Sequence, residues 1–591
     1  MNNIIQNKHY RNDIDVIKTI SIIAVVLYHV LGEECSTGYL GVDVFFVIGG
    51  FLVIPNILNA VVKDEFKYFT FIKTRIERML PLLVMVCFVV VVVAICFMVP
   101  EDLLTVVESS IASIVFANNY LSLFLCADYW DWTNEFKPLM HTWYSSVLMQ
   151  LYVVVPLIML VVNKLIKGEE KRKRKAQIYL LFILSIISIS FFIFCNRNEL
   201  RFYLLTARAY EFVIGGIVGI IRDSRKESEQ KNSNICKAVW IVSLIGIIFF
   251  LFVGCWNISF KNDIFLLMVV ICTIICIYFG IYVSVFDDRY KLLGFLGKAS
   301  FSIFLWHQVI LAFYRYFISC EINFRFWVIY IPLLSLLSYL SYQFIEKNKL
   351  ISIQLKMKVA VIIALILCFA GLGIWSKAGI LYDIPELDIE KDNIERRKNP
   401  KYVDRIYDLD TPFNSNEDKI KVLVIGNSFA RDFANCLLES RWAEKIDLKY
   451  SFGKDAGIQR VLESDYIFVF GSPSDLPDYY FEEGKLLDNI YGIGTKNFGE
   501  CVGQYFINRK KTYYFEQTGI ISAAILEQNN TYAEEWGNHY INIIDYLKND
   551  DGTIKIFTDD KRYISYDMHH LARAGAQYLG QIIDFDSIFE E

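Results

Sequence analysis

The 591 residues exceed one domain's worth of chain, and 55% of them are hydrophobic, 16% aromatic and only 21% charged. That balance excludes an ordinary soluble protein and points to a bilayer. A net charge of −5 offers no footprint for nucleic acid, and the 13 scattered Cys form neither a CxxC pair nor a Cys/His cluster, so no metal is expected.

The first apolar segment lacks a small-residue cleavage site, which predicts a retained helix rather than a signal peptide. Apolar runs of spanning length lie at 14–32, 42–58, 80–99, 142–163, 178–195, 203–221, 238–255, 263–284, 300–318, 325–343 and 357–376. Each is close to the ~20 residues a bilayer core requires, which predicts about eleven transmembrane helices in a domain spanning 1–376. The piece 103–125, with Glu108, Asn118 and Asn119, is less apolar and reads as an amphipathic or re-entrant segment on the outer side. Lys/Arg-rich loops follow alternate helices, from Lys63 to Arg78, Lys164 to Lys175, Arg222 to Lys237, Arg289 to Lys298 and Lys347 to Lys358. The positive-inside rule makes those loops cytoplasmic, and an odd number of crossings puts everything after Lys377 outside.

From 377 to 418 the chain is polar and charged and reads as a linker. A soluble α/β pattern occupies 419–591. KVLVIGNS is an apolar strand ending in a turn, with the helical ARDFANCLLES after it; DYIFVFGS, NIYGIGTKNFG and YINIIDYL are further strands, and HLARAGAQYLGQII is the last helix. Strands alternating with helices predict a parallel sheet covered on both faces. Cys436 and Cys501 lie in this polar part and leave one bridge open.

Polar groups at membrane depth are costly and usually face a protein-lined cavity. His29 interrupts the first apolar run and can accept a proton from a hydroxyl, and Asp43 opens the second, where it either orients that imidazole or pairs with a buried cation. Arg75 and Arg78 are three apart and share a helix face, an arrangement suited to phosphate and also to a plain cytoplasmic anchor. Several segments resemble the membrane-bound acyltransferase-3 family. They are Arg11-Asn12-Asp13-Ile14-Asp15, Tyr28-His29, the stretch from Gly41 to Phe51 with Gly49 where the family usually has Ser, and the RxxR of Arg75 and Arg78. His141-Thr142-Trp143 with Gln150 and Tyr152, Arg208 with Glu211, and Ser302 to Trp306-His307 continue the match in the family's order. One departure is plain: the family's glutamate after H-T-W is Leu148 or Met149 here. The resemblance implies His29 as catalytic base, acyl-CoA phosphates on Arg75 and Arg78, and supporting roles for Asp13, His141, Trp143, Arg208, Glu211 and His307.

In the soluble part Gly426-Asn427-Ser428 closes the first strand, and Asp567-Met568-His569-His570 lies near the C-terminus. A serine needs an adjacent base to act as a nucleophile, and open α/β sheets carry sites at strand C-terminal ends. The pair of motifs resembles an SGNH-type (GDSL-like) esterase or acyltransferase domain. It implies Ser428 as nucleophile, His570 as its base and Asp567 as the orienting carboxylate, with His569 the neighbour outside the D-x-x-H count. Asn427 stands where that family usually has Asp, and Gly457, Gly471 and Asn497 are candidates for the oxyanion site.

Together the resemblances imply the fused architecture of bacterial envelope polysaccharide O-acetyltransferases, in the cytoplasmic membrane with the C-terminal domain periplasmic or extracellular. Acetyl-CoA is the expected donor and lipopolysaccharide O-antigen the expected acceptor, with peptidoglycan as alternative. A multi-helix transporter with a binding domain, or an anchored esterase, are readings of another class; acyl-CoA binding by the membrane part discriminates against both.

Overall fold

The computed structural model describes residues 11–589 apart from 126–134, 225–233, 257–261, 281–290, 349–350, 390–401, 414–417, 454, 483–484 and 500–501. It divides into two compact units. One comprises Met1–Cys96, Thr105–Arg315 and Glu321–Gly373; the other comprises Phe97–Leu104, Tyr316–Cys320 and Ile374–Glu591.

The first unit is helical. Its elements used below are α1 (Asn12–Leu31), α2 (Gly41–Val62), α3 (Tyr68–Phe97), α4 (Pro100–Ile114), α5 (Asn118–Leu125), α6 (Trp143–Leu165), α7 (Glu170–Phe194), α8 (Asn198–Tyr203), α9 (Leu205–Ser224), α10 (Asn234–Phe252), α11 (Asn262–Phe279), α12 (Lys291–Lys298), α13 (Ser300–Phe317), α14 (Phe324–Ser341) and α15 (Ile353–Ser376). Among the described residues nine helices are long and apolar enough to cross a membrane, and α12 with α13, bent by 70° at the break between them, makes a tenth. The eleventh expected span is the shorter α11; its 18 residues reach about 27 Å, just under the ~30 Å of a hydrocarbon core. The segment expected to be amphipathic or re-entrant is the two short helices α4 and α5.

Small residues let α2 and α9 touch. A Cβ on Gly50 would fall 1.6 Å from the Phe212 carbonyl oxygen, and one on Gly215 2.1 Å from that of Val47. Close backbone approach of this kind is how helices gain packing in lipid, where the solvent gives no hydrophobic drive. At Gly49, by contrast, the nearest atoms to an added Cβ are 3.5 Å away, so the serine usual at this position would fit.

The second unit contains a five-stranded parallel sheet in the order β2-β1-β3-β6-β8. The strands are β1 (Ile420–Gly426), β2 (Ile446–Phe452), β3 (Tyr466–Phe470), the small antiparallel pair β4 (Phe481–Glu482) and β5 (Lys485–Leu486), β6 (Ile490–Ile493), β7 (Thr518–Gly519), β8 (Tyr540–Ile541) and β9 (Ile554–Lys555). One face buries Leu423, Ile425, Ile467, Val469 and Trp536. Phe433, Phe468 and Phe585 make ring contacts within the unit's core. The sequence reading expected β1, β3, β6 and β8 but not β2. The described parts of the expected linker pack within this unit: Glu386 is 5% exposed and its carbonyl accepts from Tyr563 N–H at 2.8 Å. Cys436 is a buried free thiol, whereas Cys501 lies outside the described residues.

Candidate active site

β1 delivers Ser428. Its last residue, Gly426, has φ +143°, and a Cβ there would lie 2.9 Å from the Ala430 Cβ and 3.1 Å from the Phe470 Cβ, so the tight exit from the strand requires glycine. The next residue, Asn427, caps the helix Ser428–Leu438; its side-chain oxygen accepts from Phe429 N–H at 2.9 Å. Ser428 therefore stands half-buried at a helix N-terminus beside the C-terminal ends of the strands. Tyr450 braces the turn from β2, donating to the carbonyls of Gly426 at 2.9 Å and Asn427 at 3.1 Å.

The loop ahead of the helix Arg573–Ile582 brings the other two members. His570 Nε2 is 2.8 Å from Ser428 Oγ, and His570 Nδ1 is 2.7 Å from Asp567 Oδ2. The carboxylate fixes the loop as well as the ring: Asp567 Oδ1 accepts from the backbone N–H of His569 at 2.6 Å and of His570 at 2.7 Å. Burial works against ionisation of Asp567, but the His570 imidazole and these two N–H groups outweigh it and hold the carboxyl below its usual range. Burial pushes the neighbouring His569 imidazole below its ordinary value, against the opposing pull of Asp567.

Two buried residues that sequence reasoning missed tie the site together. Asp432, one turn after Ser428 and fully buried, accepts from Leu571 N–H at 2.9 Å and pairs with Lys496 Nζ at 3.1 Å. Lys496 is 3% exposed and lies 4.0 Å from the centre of the Phe429 ring. The four-residue spacing from Ser428 to Asp432 was the available signal. The segment that carries Lys496 also carries Asn497, and Phe498 N–H donates to the Met568 carbonyl at 2.9 Å, so Asn497 runs beside the D-x-x-H loop. Asn497 uses its side-chain oxygen on Gly499 N–H at 3.0 Å. Gly471, with φ +127°, follows Phe470, whose ring stacks on Phe429 at 4.6 Å. The third oxyanion candidate, Gly457, gives its N–H to Asp455 Oδ1 at 3.0 Å, which leaves that amide committed.

In the first unit a cavity of about 900 Å³ is lined by Arg75, Arg78, Lys18, Lys298, Lys347 and Lys356, by the carboxylates of Asp15, Glu77 and Glu346, and by apolar and aromatic residues that include Phe45, Tyr144, Leu148 and Phe304. Arg75 lies 4.9 Å from the Phe71 ring centre and 5.2 Å from that of Tyr152, and its Nε has no hydrogen-bond partner among the described residues. Leu148, one of the two residues that could stand at the family's glutamate position, faces this cavity.

Of the two roles the sequence leaves open for Asp43, the structure shows the pairing with a buried cation and not the contact with His29. Asp43 Oδ1 accepts from Arg208 at 2.6 Å, and the same guanidinium nitrogen is 3.2 Å from Glu211 Oε1. All three side chains are at most 4% exposed, and the rings of Trp143 and Phe202 lie 5.9 and 5.1 Å from the guanidinium. A buried cation claims the nearest strong anion, so Asp43 serves Arg208. His29 is fixed instead through Nδ1, 2.8 Å from the carbonyl oxygen of Val25. Asp13 is held by Arg11 through two contacts, at 2.7 and 2.6 Å. His141 and His307 are both buried, and their rings join that of His29 in one cluster.

The O-acetyltransferase OatA of Staphylococcus aureus is 27% identical over 352 residues, which cover 57% of each chain. A putative O-acetyltransferase of S. aureus strain MSSA476 is 26% identical over 356 residues, again 57% of each chain. The matched stretch is thus under two thirds of these relatives' length. No solved structure matches. The family model described as an acyltransferase domain matches residues 11–343, more than half of the chain and nearly all of the first unit. The chain belongs to the acyltransferase-3 family of acyltransferase domains.

Proposed function

We propose that this protein is a membrane O-acetyltransferase that takes an acetyl group from cytoplasmic acetyl-CoA and delivers it to a hydroxyl of an envelope polysaccharide. What carries the reading is that two sites of complementary chemistry occur in one chain: a cavity whose lining has more cations than carboxylates in the family-matched unit, and a Ser428–His570–Asp567 array in the other. The guanidinium groups of Arg75 and Arg78 suit the phosphates of a coenzyme A thioester, because each can bind phosphate bidentately. The alternation of basic loops puts Arg75 and Arg78 on the cytoplasmic side and the second unit outside.

The chemistry at Ser428 follows from the contacts. His570 Nε2 takes the hydroxyl proton as Oγ attacks the acyl carbonyl, and Asp567 holds the imidazole in the tautomer with hydrogen on Nδ1. His570 returns the proton to the leaving group, which leaves acyl-Ser428. A sugar hydroxyl then gives its proton to His570 and its oxygen to the acyl carbon, and Ser428 is regenerated. Gly471 and Asn497 are the candidates for holding the oxyanion. O-antigen is the first acceptor class and peptidoglycan the second. Mass analysis of both glycans from cells with and without the gene tests the proposal. An acetyl ester that depends on the gene identifies the acceptor; no change in either glycan refutes this reading.

A further inference from the structure

His570 lies in a loop without helix or strand, yet its Nε2 stands 2.8 Å from Ser428 Oγ. A pair that close needs support from outside the loop, because a displacement of about 1 Å can cost ~10²-fold in rate. The bonds from His569 and His570 N–H to Asp567, and from Ser565 Oγ to the Asp567 carbonyl at 2.6 Å, fix the loop's own shape. They do not set the loop against Ser428.

Asp432 supplies that reference. It lies one turn after Ser428 on the same helix, so helix geometry fixes its place relative to the serine. Its Oδ2 accepts from Leu571 N–H at 2.9 Å, and Leu571 directly follows His570. The path from serine to imidazole thus runs through one helical turn, one carboxylate and one peptide. Asp432 is fully buried; Lys496 Nζ lies 3.1 Å from the same Oδ2 and Arg431 Nη2 3.2 Å from Oδ1. Hydrogen bonds to a charged acceptor are shorter and roughly twice as strong as neutral ones.

Lys496 brings in a third segment, the stretch 494–498 that follows β6. Thr495 Oγ1 anchors that stretch by donating to Asn529 Oδ1 at 3.1 Å. Phe498 N–H donates to the Met568 carbonyl at 2.9 Å, and the His569 imidazole donates to the backbone carbonyl of Lys496. The helix of Ser428, the stretch 494–498 and the loop 565–571 are therefore each tied to the other two.

We propose that Asp432 is a positioning residue for the transfer at Ser428: through Leu571 N–H it holds His570 within reach of Oγ, and Lys496 fixes its carboxylate for that task. The proposal rests on the reading of Ser428 as the nucleophile. Both residues act through His570 and not on the acyl group.

The test uses the full chain in proteoliposomes and a fluorophosphonate probe, which phosphonylates Ser428 Oγ with loss of fluoride. The labelling endpoint counts the chains whose site is folded. The rate constant of those chains reports the geometry between Ser428 and His570. Ser428→Ala supplies the blank. Asp432→Ala should lower the rate constant by ~10²-fold, and Asp432→Asn, which keeps an oxygen for Leu571 N–H, should regain at least about tenfold of that loss. Lys496→Met should lower it by about tenfold, and Lys496→Arg should stay within about threefold of the wild type. Asp432→Leu combined with Lys496→Met leaves no buried charge unpaired, so it carries the test if Asp432→Ala does not fold. That double variant should keep the wild-type endpoint and lose ~10²-fold in rate constant. A lowered endpoint with a wild-type rate constant in the remaining chains would make Asp432 merely structural and overturn the assignment. So would a wild-type rate constant in the double variant, or an Asp432→Asn protein no faster than Asp432→Ala. If the wild type takes no label at Ser428, the reading of that serine as nucleophile falls. If it does and the variants match its rate constant, only the positioning role falls.

Discussion

The two clusters of reactive side chains in this protein are built in opposite ways. At Ser428 the base and its carboxylate are already engaged: His570 reaches both partners, and Asp567 also accepts two backbone N–H groups. In the membrane unit the rings of His29, His307 and His141 pack in a row, with centres 5.0 and 5.1 Å apart. The first arrangement is a serine hydroxyl already hydrogen-bonded to an imidazole at a half-buried strand end. The second is a closely packed row of imidazoles near, but not lining, a cavity lined by Arg75 and Arg78. The contrast suits a relay in which the thioester is sheltered from water and the final ester transfer is open to a bulky acceptor.

The comparison breaks most visibly at Ser428. Ser428→Ala should reduce glycan acetylation by ~10⁴-fold or more, because the nucleophile acts as a unit with its base. Acyl-CoA binding by the same variant, measured by titration calorimetry, should be unchanged, since no residue is shared between the two sites. His29→Ala should cost ~10²–10⁴-fold in transfer with normal expression; full activity would make His29 a structural residue. Arg75→Ala with Arg78→Ala should weaken acyl-CoA binding by about 10²-fold, as charge-assisted contacts are each worth roughly 1.5–3 kcal/mol. Esterase activity toward a small activated ester at Ser428 should survive that change, and its loss would deny the division into two sites.

Asp43 sharpens the comparison through stability. As a partner of the buried Arg208 it should behave structurally, and Asp43→Asn should lower the melting temperature by several degrees, since breaking a buried pair costs roughly 3–5 kcal/mol. A variant that melts like the wild type but does not transfer would restore a catalytic role. The smallest effect is expected at Asp567. Its lowered pKa means the carboxylate adds stability above the usual carboxylate range and loses it as pH falls through the folded value. Wild type should melt above Asp567→Asn at neutral pH, and the two curves should converge below ~pH 4. The side chain is 41% exposed, so solvent screening keeps the gap modest. A gap that persists undiminished at low pH would locate the stabilisation elsewhere.

What was legible in the sequence was local. Gly426-Asn427-Ser428 at a strand end and the three-residue step from Asp567 to His570 place the triad because strand, turn and loop are each short-range patterns. Strand β2 was missed: Ile446–Phe452 is an edge strand alternating buried and half-buried residues, with charges at Asp447 and Lys449, and carries no continuous apolar run. The partners of Asp43 and Asp432 were invisible for another reason. Arg208 and Lys496 lie far along the chain, and nothing in a single sequence says which buried cation meets which buried anion. The count of spanning helices suffered at its weakest points, the bend between α12 and α13 and the short α11.

The central claim is that the acetyl group passes through Ser428, and intact-protein mass spectrometry on an acetyl-enzyme trapped by acid quench tests it most directly. With acetyl-CoA supplied to proteoliposomes, the account predicts one acetyl adduct on the Ser428 peptide of the wild type, absent from Ser428→Ala and strongly reduced in the Arg75→Ala, Arg78→Ala protein. Active glycan acetylation by a wild type that never carries acetyl on Ser428 would contradict it, and would assign the whole transfer to the membrane unit.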